Sequence, residues 1–275
     1  MNIDLHTHSY YSDGLLSPKD IAIKALNAGC NFFSLTDHDT LKGLKEAKIY
    51  AKSSNLTFIN GVEISAQHNS QPIHIVGLGI NPYEKLLLDG LKKNNQFRVE
   101  RAKKISEGLG KVGIMKAYEK ARTLSKTDYV TRTHFAQMLI KEKICSNMSS
   151  VFKRYMTGKK PGAVKGEWAS SVDVINWIHQ AGGLAILAHP LRYKMTLTKL
   201  KRLVKDLKLI GLDGIEIVNS FSDIEDIRVS KMIADENELL YSGGSDFHGW
   251  AGQKIELGNI PQFDYGDKLI INYLR

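Results

Sequence analysis

The sequence contains very little cysteine and no long apolar segment. Cys30 and Cys145 are the only two cysteines among 275 residues, and their wide separation gives no metal-binding cysteine pair. No apolar run approaches the roughly 20 residues that a membrane span requires, so no membrane association is expected. The first candidate strand begins at Asn2, so we also expect no signal peptide. Together these absences predict a reduced, cytoplasmic protein.

Positive charge is not spread evenly along the chain. The net charge is +9, but residues 81–170 contain 20 Lys and Arg against 8 Asp and Glu, whereas the remainder contains 18 against 21. A basic segment of this kind attracts polyanions, of which nucleic acid is the most common. The alternative is that these charges form an ordinary solvated helical surface.

Seven short apolar segments alternate with helical patterns in the manner of βα units. The candidate strands are residues 2–6, 32–36, 57–60, 73–78, 184–188, 214–218 and 239–242. This alternation predicts an α/β fold with a parallel sheet closed into a barrel by residues 1–80 and 171–275. Seven strands rather than eight would make that barrel irregular.

Residues 81–170 interrupt the alternation. Apolar residues recur there at helical spacing, as in Ala102, Ile105 and Leu109, and glycines such as Gly108 and Gly110 break the helices. We therefore expect an inserted, mainly helical subdomain on the catalytic face of the barrel.

Side chains that bind metals follow the short apolar segments throughout the barrel sequence. The nine candidate ligands are His6, His8, Asp13, His38, Glu63, His74, His189, Asp246 and His248. Most of them fall near the C-terminal end of a strand, which is where barrel enzymes place their active sites. Histidine and carboxylate ligands suit borderline divalent ions such as Mn, Fe and Zn, and nine would serve two or three ions.

The local patterns differ in strength. His6 and His8 are two residues apart on a strand, as are Asp246 and His248, so each pair can point to one side. Asp13 lies in a Ser-Asp-Gly turn and, taken alone, would be an ordinary turn residue. Each piece alone is weak evidence, but their coincidence over seven segments predicts a multinuclear metallohydrolase.

The block Thr36-Asp37-His38-Asp39 raises a question of direction. If the strand continues, His38 points away from Asp37 and Asp39, so all three should not bind one ion. Asp39 stands where a helix is expected to begin, so its plainer role is an N-cap or a hydrogen-bond partner of His38.

Several blocks resemble those of the PHP (polymerase and histidinol phosphatase) metallohydrolases. They are His6-Thr7-His8-Ser9, Thr36-Asp37-His38-Asp39, Gly61-Val62-Glu63-Ile64, His189-Pro190 and Ser245-Asp246-Phe247-His248. The blocks Val130-Thr131-Arg132-Thr133-His134-Phe135, Gly158-Lys159-Lys160-Pro161-Gly162 and Leu257-Gly258 resemble the branch that contains 3′,5′-nucleoside bisphosphate phosphatases. Members of that branch also act as ribonuclease AM, a 5′-to-3′ exoribonuclease that trims ribosomal RNA.

The resemblance implies a distorted (β/α)7 barrel, the PHP fold, with three divalent ions, usually Mn. It implies one ion held by His6, His8, Glu63 and Asp246. It implies a second ion held by Asp13, His38 and His248, and a third held by Glu63, His74 and His189, with Glu63 bridging. All nine positions hold an acceptable ligand.

Four further residues are candidates for holding substrate phosphates. Arg192 follows His189 by three residues and could bind a phosphate through two donors. Arg132 and His134 in the insert could hold a second phosphate, or His134 could protonate the leaving oxygen. Lys160 lies in a glycine-flanked loop. Each of the four could instead be an ordinary surface or structural residue, and Glu216 is a candidate acid behind the ligands.

The motifs taken together therefore predict a metal-dependent phosphoesterase. Its expected substrates are nucleoside 3′,5′-bisphosphates and 5′-phosphorylated RNA, and a monomer suffices. A small-molecule phosphatase, such as a histidinol-phosphate phosphatase, is the first alternative, although it would not need the basic insert. A non-catalytic nucleic-acid-binding module with structural metals is the second, and its metal sites would be closed.

Overall fold

A computed structural model describes residues 2–127, 129–250 and 255–274 of the chain. The chain divides into two compact units, and each is described separately. The barrel unit comprises Met1–Leu91 and Ala169–Arg275, and the helical unit comprises Lys92–Trp168. The sequence-based assignment of residues 81–170 to a separate inserted subdomain on the catalytic face stays a prediction.

The barrel unit is built on one mixed sheet. Its strands are β1 (Ile3–Asp4), β2 (Phe32–Leu35), β3 (Thr57–His68), β4 (Gln71–Leu78), β5 (Ala169–Ser170), β6 (Leu184–Leu187), β7 (Gly214–Val218) and β8 (Leu240–Gly243). The order is β1-β2-β3-β4-β6-β7-β8, and the short β5 pairs with β3. Leu5 donates its N–H to the carbonyl of Gly243 at 3.1 Å, which brings the first and last strands together. The predicted α/β barrel of seven strands, nearly closed, is confirmed.

The prediction of a fully parallel sheet is wrong at β4. This strand runs antiparallel to both β3 and β6. The reason is the connection between β3 and β4, since Asn69 and Ser70 have φ values of 45° and 66°. Two successive residues with positive φ form the tight turn of a β-hairpin, which can join only antiparallel strands. β3 is also longer than predicted, so Glu63 lies within it. β4 begins two residues earlier than predicted, so His74 lies inside the strand rather than at its start.

Among the residues described, five α-helices belong wholly to the barrel unit. They are α1 (Pro18–Asn27), α2 (Leu44–Lys52), α7 (Ser171–Gln180), α8 (Leu197–Leu209) and α9 (Ile224–Glu236). The side chains of Ser17, Ser170 and Thr196 cap three of them by accepting N–H groups of the first turn. α2 instead begins after Gly43. The expectation that Asp39 caps a helix is therefore wrong; its Oδ1 accepts the N–H of Ser65 at 3.0 Å.

The other helices are α3 (Lys85–Gly110), α4 (Ala117–Arg122), α5 (Arg132–Lys141) and α6 (Met148–Val151), and α3 begins in the barrel unit and continues into the helical unit. Each unit has its own apolar core. Ile64, Ile75 and Ile215 are fully buried in the barrel unit, and Leu109 and Phe135 are fully buried in the helical unit. Across the described parts of the chain, we find no helix with the length and apolar character that crossing a membrane would need.

Candidate metal centre

All nine predicted ligand residues lie in the barrel unit, and their donor atoms form one cluster. Glu63 lies at its centre and is fully buried. Its Oε1 atom lies 2.8 Å from His74 Nδ1 and 3.0 Å from His189 Nε2. Its Oε2 atom lies 2.7 Å from His38 Nδ1. The two oxygens of this carboxylate therefore face different groups of histidines.

His6 and His8 approach the same carboxylate from β1. Their Nε2 atoms are 3.0 Å apart, so both rings point to one place, as their spacing predicts. His8 Nε2 lies 3.3 Å from both Glu63 Oε2 and Asp246 Oδ1, and His6 Nε2 lies 3.4 and 3.6 Å from the same two oxygens. Four donor atoms from three segments thus surround one small volume.

Asp13 lies at another side of the cluster. Its Oδ1 atom is 3.2 Å from His248 Nε2 and 3.8 Å from His38 Nε2. The turn that carries Asp13 is held close by Gly14, because a Cβ atom there would lie 2.1 Å from the carbonyl oxygen of His8. A side chain at position 14 would therefore push the Asp13 turn away from the cluster.

Among the described residues, three groups have ligand atoms close enough to hold an ion. The groups are His8, Asp13, His38 and His248; His6, His8 and Glu63; and His38, Glu63 and His74. Within each group the donor atoms lie within 4.8 Å of one another. The geometry brings together all the residues of the three implied ion sites, and how the residues divide among ions stays a prediction.

The electrostatics of the cluster favour bound cations. Burial lowers the pKa of His8 to about 3 and that of His74 to about 4, so both are neutral, the form in which imidazole binds metals. Burial also acts against the charged form of Glu63, but the rings of His38 and His74 outweigh it and hold the carboxyl pKa well below its usual value. Ionised, buried carboxylates need positive charge beside them.

The pKa of His248 also shows that the cluster favours positive charge. Burial lowers the pKa of His248, yet Asp13 and Asp246 outweigh it and raise that pKa to about 9. Within the described residues, His189 Nδ1 is buried without a hydrogen bond, and Glu63 Oε2 makes no aligned hydrogen bond although it lies 2.7 Å from His38 Nδ1. A buried carboxylate oxygen among ring nitrogens, without a hydrogen bond of its own, fits a metal ligand. The residues present therefore fit divalent ions.

Glu216 fixes two of the candidate ligands from behind. Its Oε1 lies 2.5 Å from His6 Nδ1, and its Oε2 accepts the backbone N–H of His189 at 2.6 Å. A carboxylate at Nδ1 keeps the proton on that nitrogen and leaves Nε2 for an ion. The sequence had marked Glu216 only as a candidate acid behind the ligands.

Two further buried acids hold the loops of the cluster, and sequence reasoning missed both roles. Asp37 accepts the N–H and the hydroxyl of Ser9, at 2.7 and 2.6 Å. Asp4 accepts the N–H groups of Ser245 and Gly258, each at 2.8 Å. Burial raises the carboxyl pKa of both to about 6. For Asp4, its position within an apolar strand segment is the signal that could have revealed it, whereas Asp37 lies just past β2.

The backbone itself is strained around the cluster. Asp39, His189 and Asp246 have φ values of 50°, 30° and 55°, in the left-handed region that favours glycine. Tyr193 also fixes this part of the fold, because its hydroxyl accepts the N–H of His74 and donates to the carbonyl of Ala188, both at 3.0 Å. Such strained positions persist where the surrounding contacts determine them, and they concentrate at functional sites.

Arg192 lies at the open side of the cluster. Its guanidinium donates to Oδ2 of Asp246, while Oδ1 of Asp246 faces His6 and His8. The Arg192 side chain is 46% exposed. A guanidinium in this position can reach a ligand from solvent while it stays anchored to the cluster.

The other three predicted phosphate-binding residues lie in the helical unit. Arg132 is the first residue of α5 and its guanidinium lies over the ring of Phe152, and Lys160 is exposed. His134 is buried, and its Nδ1 accepts the N–H of Thr131 at 3.0 Å, which closes a capping box at the start of α5. Their roles toward substrate stay predictions.

Arg98 and Arg101 of the helical unit, which were not among the predicted phosphate contacts, lie close to Arg132. Burial, followed by repulsion from Arg132 and Arg98, lowers the pKa of Arg101 to about 9. Arg98 and Arg101 both lie over the ring of Trp168, at 5.0 and 5.4 Å from its centroid. Their spacing of three residues on α3 places them on one helix face and was the available signal. Three arginines therefore lie close together in this unit.

Comparison with known proteins gives consistent matches. The PHP domain family matches residues 4–183. A 3′,5′-nucleoside bisphosphate phosphatase of Chromobacterium violaceum is 40% identical over 248 residues, which cover 90% of this chain and 87% of that protein. A 5′-3′ exoribonuclease of Haemophilus influenzae is 41% identical over 258 residues, 93% of this chain and 92% of that protein.

A solved structure is also similar over the whole chain. It is described as an amidohydrolase from Chromobacterium violaceum with bound sulfate and no metal. It superposes with a TM-score of 0.93 at 38% sequence identity, and the match covers 100% of this chain and 96% of that one. The fold and the sequence therefore lead to the same group of proteins.

Proposed function

The chain belongs to the PHP domain family, and on that basis we propose that it is a metal-dependent phosphoesterase acting on nucleotides and RNA. It hydrolyses the 3′-phosphate of nucleoside 3′,5′-bisphosphates. It also removes nucleotides one at a time from the 5′ end of 5′-phosphorylated RNA. The observation that carries this proposal is the single buried cluster of His, Asp and Glu side chains centred on Glu63.

Three divalent ions are proposed for this cluster, with Mn first and Fe or Zn as alternatives. His6, His8, Glu63 and Asp246 would hold one ion. Asp13, His38 and His248 would hold the second, and Glu63, His74 and His189 the third. The separation of the two Glu63 oxygens between different histidines supports a bridging role for this carboxylate. Such ions supply Lewis acidity toward phosphoryl oxygens and lower the pKa of water.

The surrounding residues orient the ligands and the substrate. Glu216 holds His6 Nδ1 and the His189 backbone, so the His6 Nε2 atom faces the cluster. Arg192, anchored on Asp246 Oδ2, is positioned to donate to an oxygen of the scissile phosphate. Donors placed where negative charge develops stabilise the transition state of phosphoryl transfer.

One bond cleavage accounts for both substrates. In a nucleoside 3′,5′-bisphosphate, the bond between phosphorus and the 3′-oxygen breaks, and water supplies the new oxygen on phosphorus. In RNA the same bond breaks after the first nucleotide, which leaves with a 3′-hydroxyl. The shortened RNA then carries a new 5′-phosphate and is a substrate again.

The helical unit is proposed to hold the 5′-phosphate and to attract the RNA. It carries 19 Lys and Arg against 6 Asp and Glu, a charge that favours a polyanion. Arg132, His134 and Lys160 are the proposed phosphate contacts, and His134 could also protonate the leaving 3′-oxygen. The group of Arg98, Arg101 and Arg132 supports an anion site in this unit.

We further propose that the protein acts as a monomer in the cytoplasm. All nine candidate ligands come from one chain, so the cluster needs no partner subunit. Both cysteines are free thiols, as is usual in a reducing compartment.

The test uses RNA that carries a 3′ label and either a 5′-phosphate or a 5′-hydroxyl. We expect Mn-loaded protein to shorten the phosphorylated RNA stepwise from its 5′ end and to release mononucleotides. The 5′-hydroxyl RNA should react more slowly, because it lacks the group that the helical unit holds. The same protein should release phosphate from adenosine 3′,5′-bisphosphate. Failure to cleave either substrate, by protein shown to carry metal, would exclude the proposed function.

A further inference from the structure

Phe221 is placed unusually for its residue type. It is the one phenylalanine of the described residues that is exposed, with 53% of its surface open to solvent. It follows β7, the strand that carries Glu216, on the loop that leads into α9. A single exposed apolar side chain is common at protein surfaces, so the case for a binding role rests on what this ring contacts.

The loop that carries Phe221 is held in a defined turn. Asn219 is buried, and its Oδ1 accepts the N–H of Phe221 at 2.9 Å. Ser222 and Asn219 exchange two further hydrogen bonds, each 3.0 Å long. Asp223 then caps α9. The ring of Phe221 is therefore presented on a fixed backbone, which lowers the entropy cost of binding a flat ligand.

Arg192 connects Phe221 to the metal centre. The guanidinium carbon lies 5.0 Å from the centroid of the Phe221 ring, within the range of a cation–π contact. The same guanidinium donates to Oδ2 of Asp246. Only one side chain thus separates the exposed ring from the cluster, and this side chain is the proposed contact to the scissile phosphate.

We propose that Phe221 and Arg192 form a stacking platform for the nucleobase on the 3′ side of the scissile phosphate in RNA. This inference rests on the proposed function and extends it. Aromatic rings and guanidinium planes are the surfaces on which proteins stack unpaired bases, without strong sequence preference. Because Arg192 is also the proposed contact to the scissile phosphate, a platform that includes it suits the base of an adjoining nucleotide.

Two arguments favour a base on the 3′ side of the scissile phosphate: the exposure of Phe221 and Arg192, and the need to hold the RNA that remains after cleavage. The nucleotide to be released is held through its 5′-phosphate, whereas the next nucleotide must stay in place as the rest of the RNA extends into solvent. Phe221 and Arg192 are both about half exposed, so a chain that lies on them can continue outward. A nucleoside bisphosphate lacks this second base, so the platform serves RNA alone.

The test is a double-mutant cycle in which the wild-type protein and Phe221→Ala each act on two RNAs. The RNAs carry a 5′-phosphate and, at the second nucleotide, either adenine or an abasic ribose. For the Mn-loaded wild-type protein, removing the base should lower kcat/KM roughly 5- to 100-fold, the range for one base stacked on an aromatic ring. Phe221→Ala should lower kcat/KM on the adenine RNA by a similar factor. On the abasic RNA the two proteins should then differ less than about twofold, because the contact is already missing.

Two control variants accompany the cycle. Phe221→Tyr keeps an aromatic ring, so removing the base from the RNA should still lower its kcat/KM as it does for the wild type. Tyr83→Ala removes an aromatic ring that is 82% exposed elsewhere in the barrel unit, and should behave as wild type. Tyr83 follows β4. The last residue of β4, Leu78, pairs with Leu184 at the start of β6, whereas His189 follows the opposite end of β6.

The outcomes separate this inference from the proposed function. If Phe221→Ala lowers kcat/KM by the same factor on both RNAs, the platform is overturned, whereas cleavage of RNA by the wild-type protein still supports the proposed function. If the wild-type protein does not cleave RNA, the RNA part of the proposed function fails, and the same cycle is measured as affinity by fluorescence anisotropy. In that measurement, Phe221→Ala and removal of the base each lower the affinity for RNA. If the two losses are not additive, the platform is still supported; if they are additive, it is excluded.

Discussion

Glu216 binds His6 and His189 at once, through different oxygens of one carboxylate. Oε1 lies 2.5 Å from His6 Nδ1, and Oε2 accepts the His189 N–H at 2.6 Å. His6 follows the first strand and His189 follows β6, so this acid fixes two sides of the barrel end relative to each other. It also sets the tautomer of His6, since its carboxylate holds the proton on Nδ1.

Glu216→Gln tests this arrangement with little change in shape. The amide has one acceptor oxygen for two N–H donors, so either one hydrogen bond is lost or His6 moves its proton to Nε2, the atom that faces the cluster. We expect metal affinity or activity to fall about 10- to 100-fold, as is typical when an acid behind a histidine ligand is removed. Metal content by elemental analysis and phosphate release from adenosine 3′,5′-bisphosphate measure the two effects.

The matched control for Glu216 is Glu225→Gln. Glu225 makes an exposed ion pair with Arg228 on α9, and exposed pairs of this kind contribute little to stability. This variant should bind metal and hydrolyse substrate as the wild type does. Normal metal content and normal activity in Glu216→Gln would show that His6 and His189 do not need this carboxylate.

Removal of metal should abolish hydrolysis and lower the thermal midpoint of unfolding. Asp13, Glu63 and Asp246 place three buried carboxylates around one cluster. Without metal, their repulsion is offset only in part, by groups such as protonated His248 and the Arg192 guanidinium. Ligand bound only to the folded state stabilises it by about 4 kcal/mol at 1,000 times its Kd. Differential scanning fluorimetry with EDTA and with restored Mn measures the shift.

Glu63→Gln provides the companion variant for that experiment. If Glu63 bridges ions, Mn should raise the melting temperature of Glu63→Gln much less than that of the wild type. Hydrolysis that persists after complete chelation, with metal content verified, would contradict a metal-dependent reaction. An equal response of both proteins to Mn would contradict the bridging role.

Much of the candidate site could be predicted from the sequence because strand ends can be recognised locally. His6, His38 and His189 follow short apolar segments, and the C-terminal ends of parallel barrel strands meet at one end. Glu63 and His74 converge for a different reason, since they lie inside the β3–β4 hairpin. Sequence patterns placed these two correctly in the cluster, although they gave the wrong strand direction.

The loop-holding acids could not be predicted in the same way. Asp4 binds the N–H of Ser245, which is 241 residues away in the chain. Periodicity marks a buried segment but does not say which distant loop an acid in it will hold. The hairpin, in contrast, had a local signal, because Asn69 and Ser70 lie between two apolar segments as a turn pair.

Gly244→Ala should weaken both the fold and the metal centre. A Cβ atom at position 244 would lie 2.4 Å from the His6 nitrogen and 2.5 Å from its Cβ, so the strands would have to separate. Inserting an extra carbon into a packed site costs about 1–3 kcal/mol. We expect a lower urea midpoint of unfolding and reduced metal content, because His6 and Asp246 both move.

Gly110→Ala is the control for that substitution. Gly110 is the last residue of α3, its φ is ordinary, and a Cβ atom there would meet nothing within 4 Å. Alanine also favours helix more than glycine does. Stability should stay unchanged or rise slightly. A wild-type urea midpoint for Gly244→Ala would mean that the approach of Gly244 to His6 is not a constraint on the fold.

His179 should give the barrel unit a stability contribution that depends on pH. The hydrogen bond from Nε2 to Asp213, 2.8 Å long, raises the pKa of His179 above its ordinary value of 6.5, although burial opposes it. A pKa raised on folding means that the contribution is fully present below pH 6.5 and is lost as pH rises through the folded value.

His179→Gln keeps a neutral donor for Asp213 at every pH. The difference in urea midpoint between wild type and His179→Gln should therefore favour the wild type most at pH 5.5 and shrink toward pH 8.5. The other histidines are present in both proteins, so their titration cancels in the difference between the two metal-loaded proteins. A difference that stays constant across this range would mean that His179 does not gain a proton on folding.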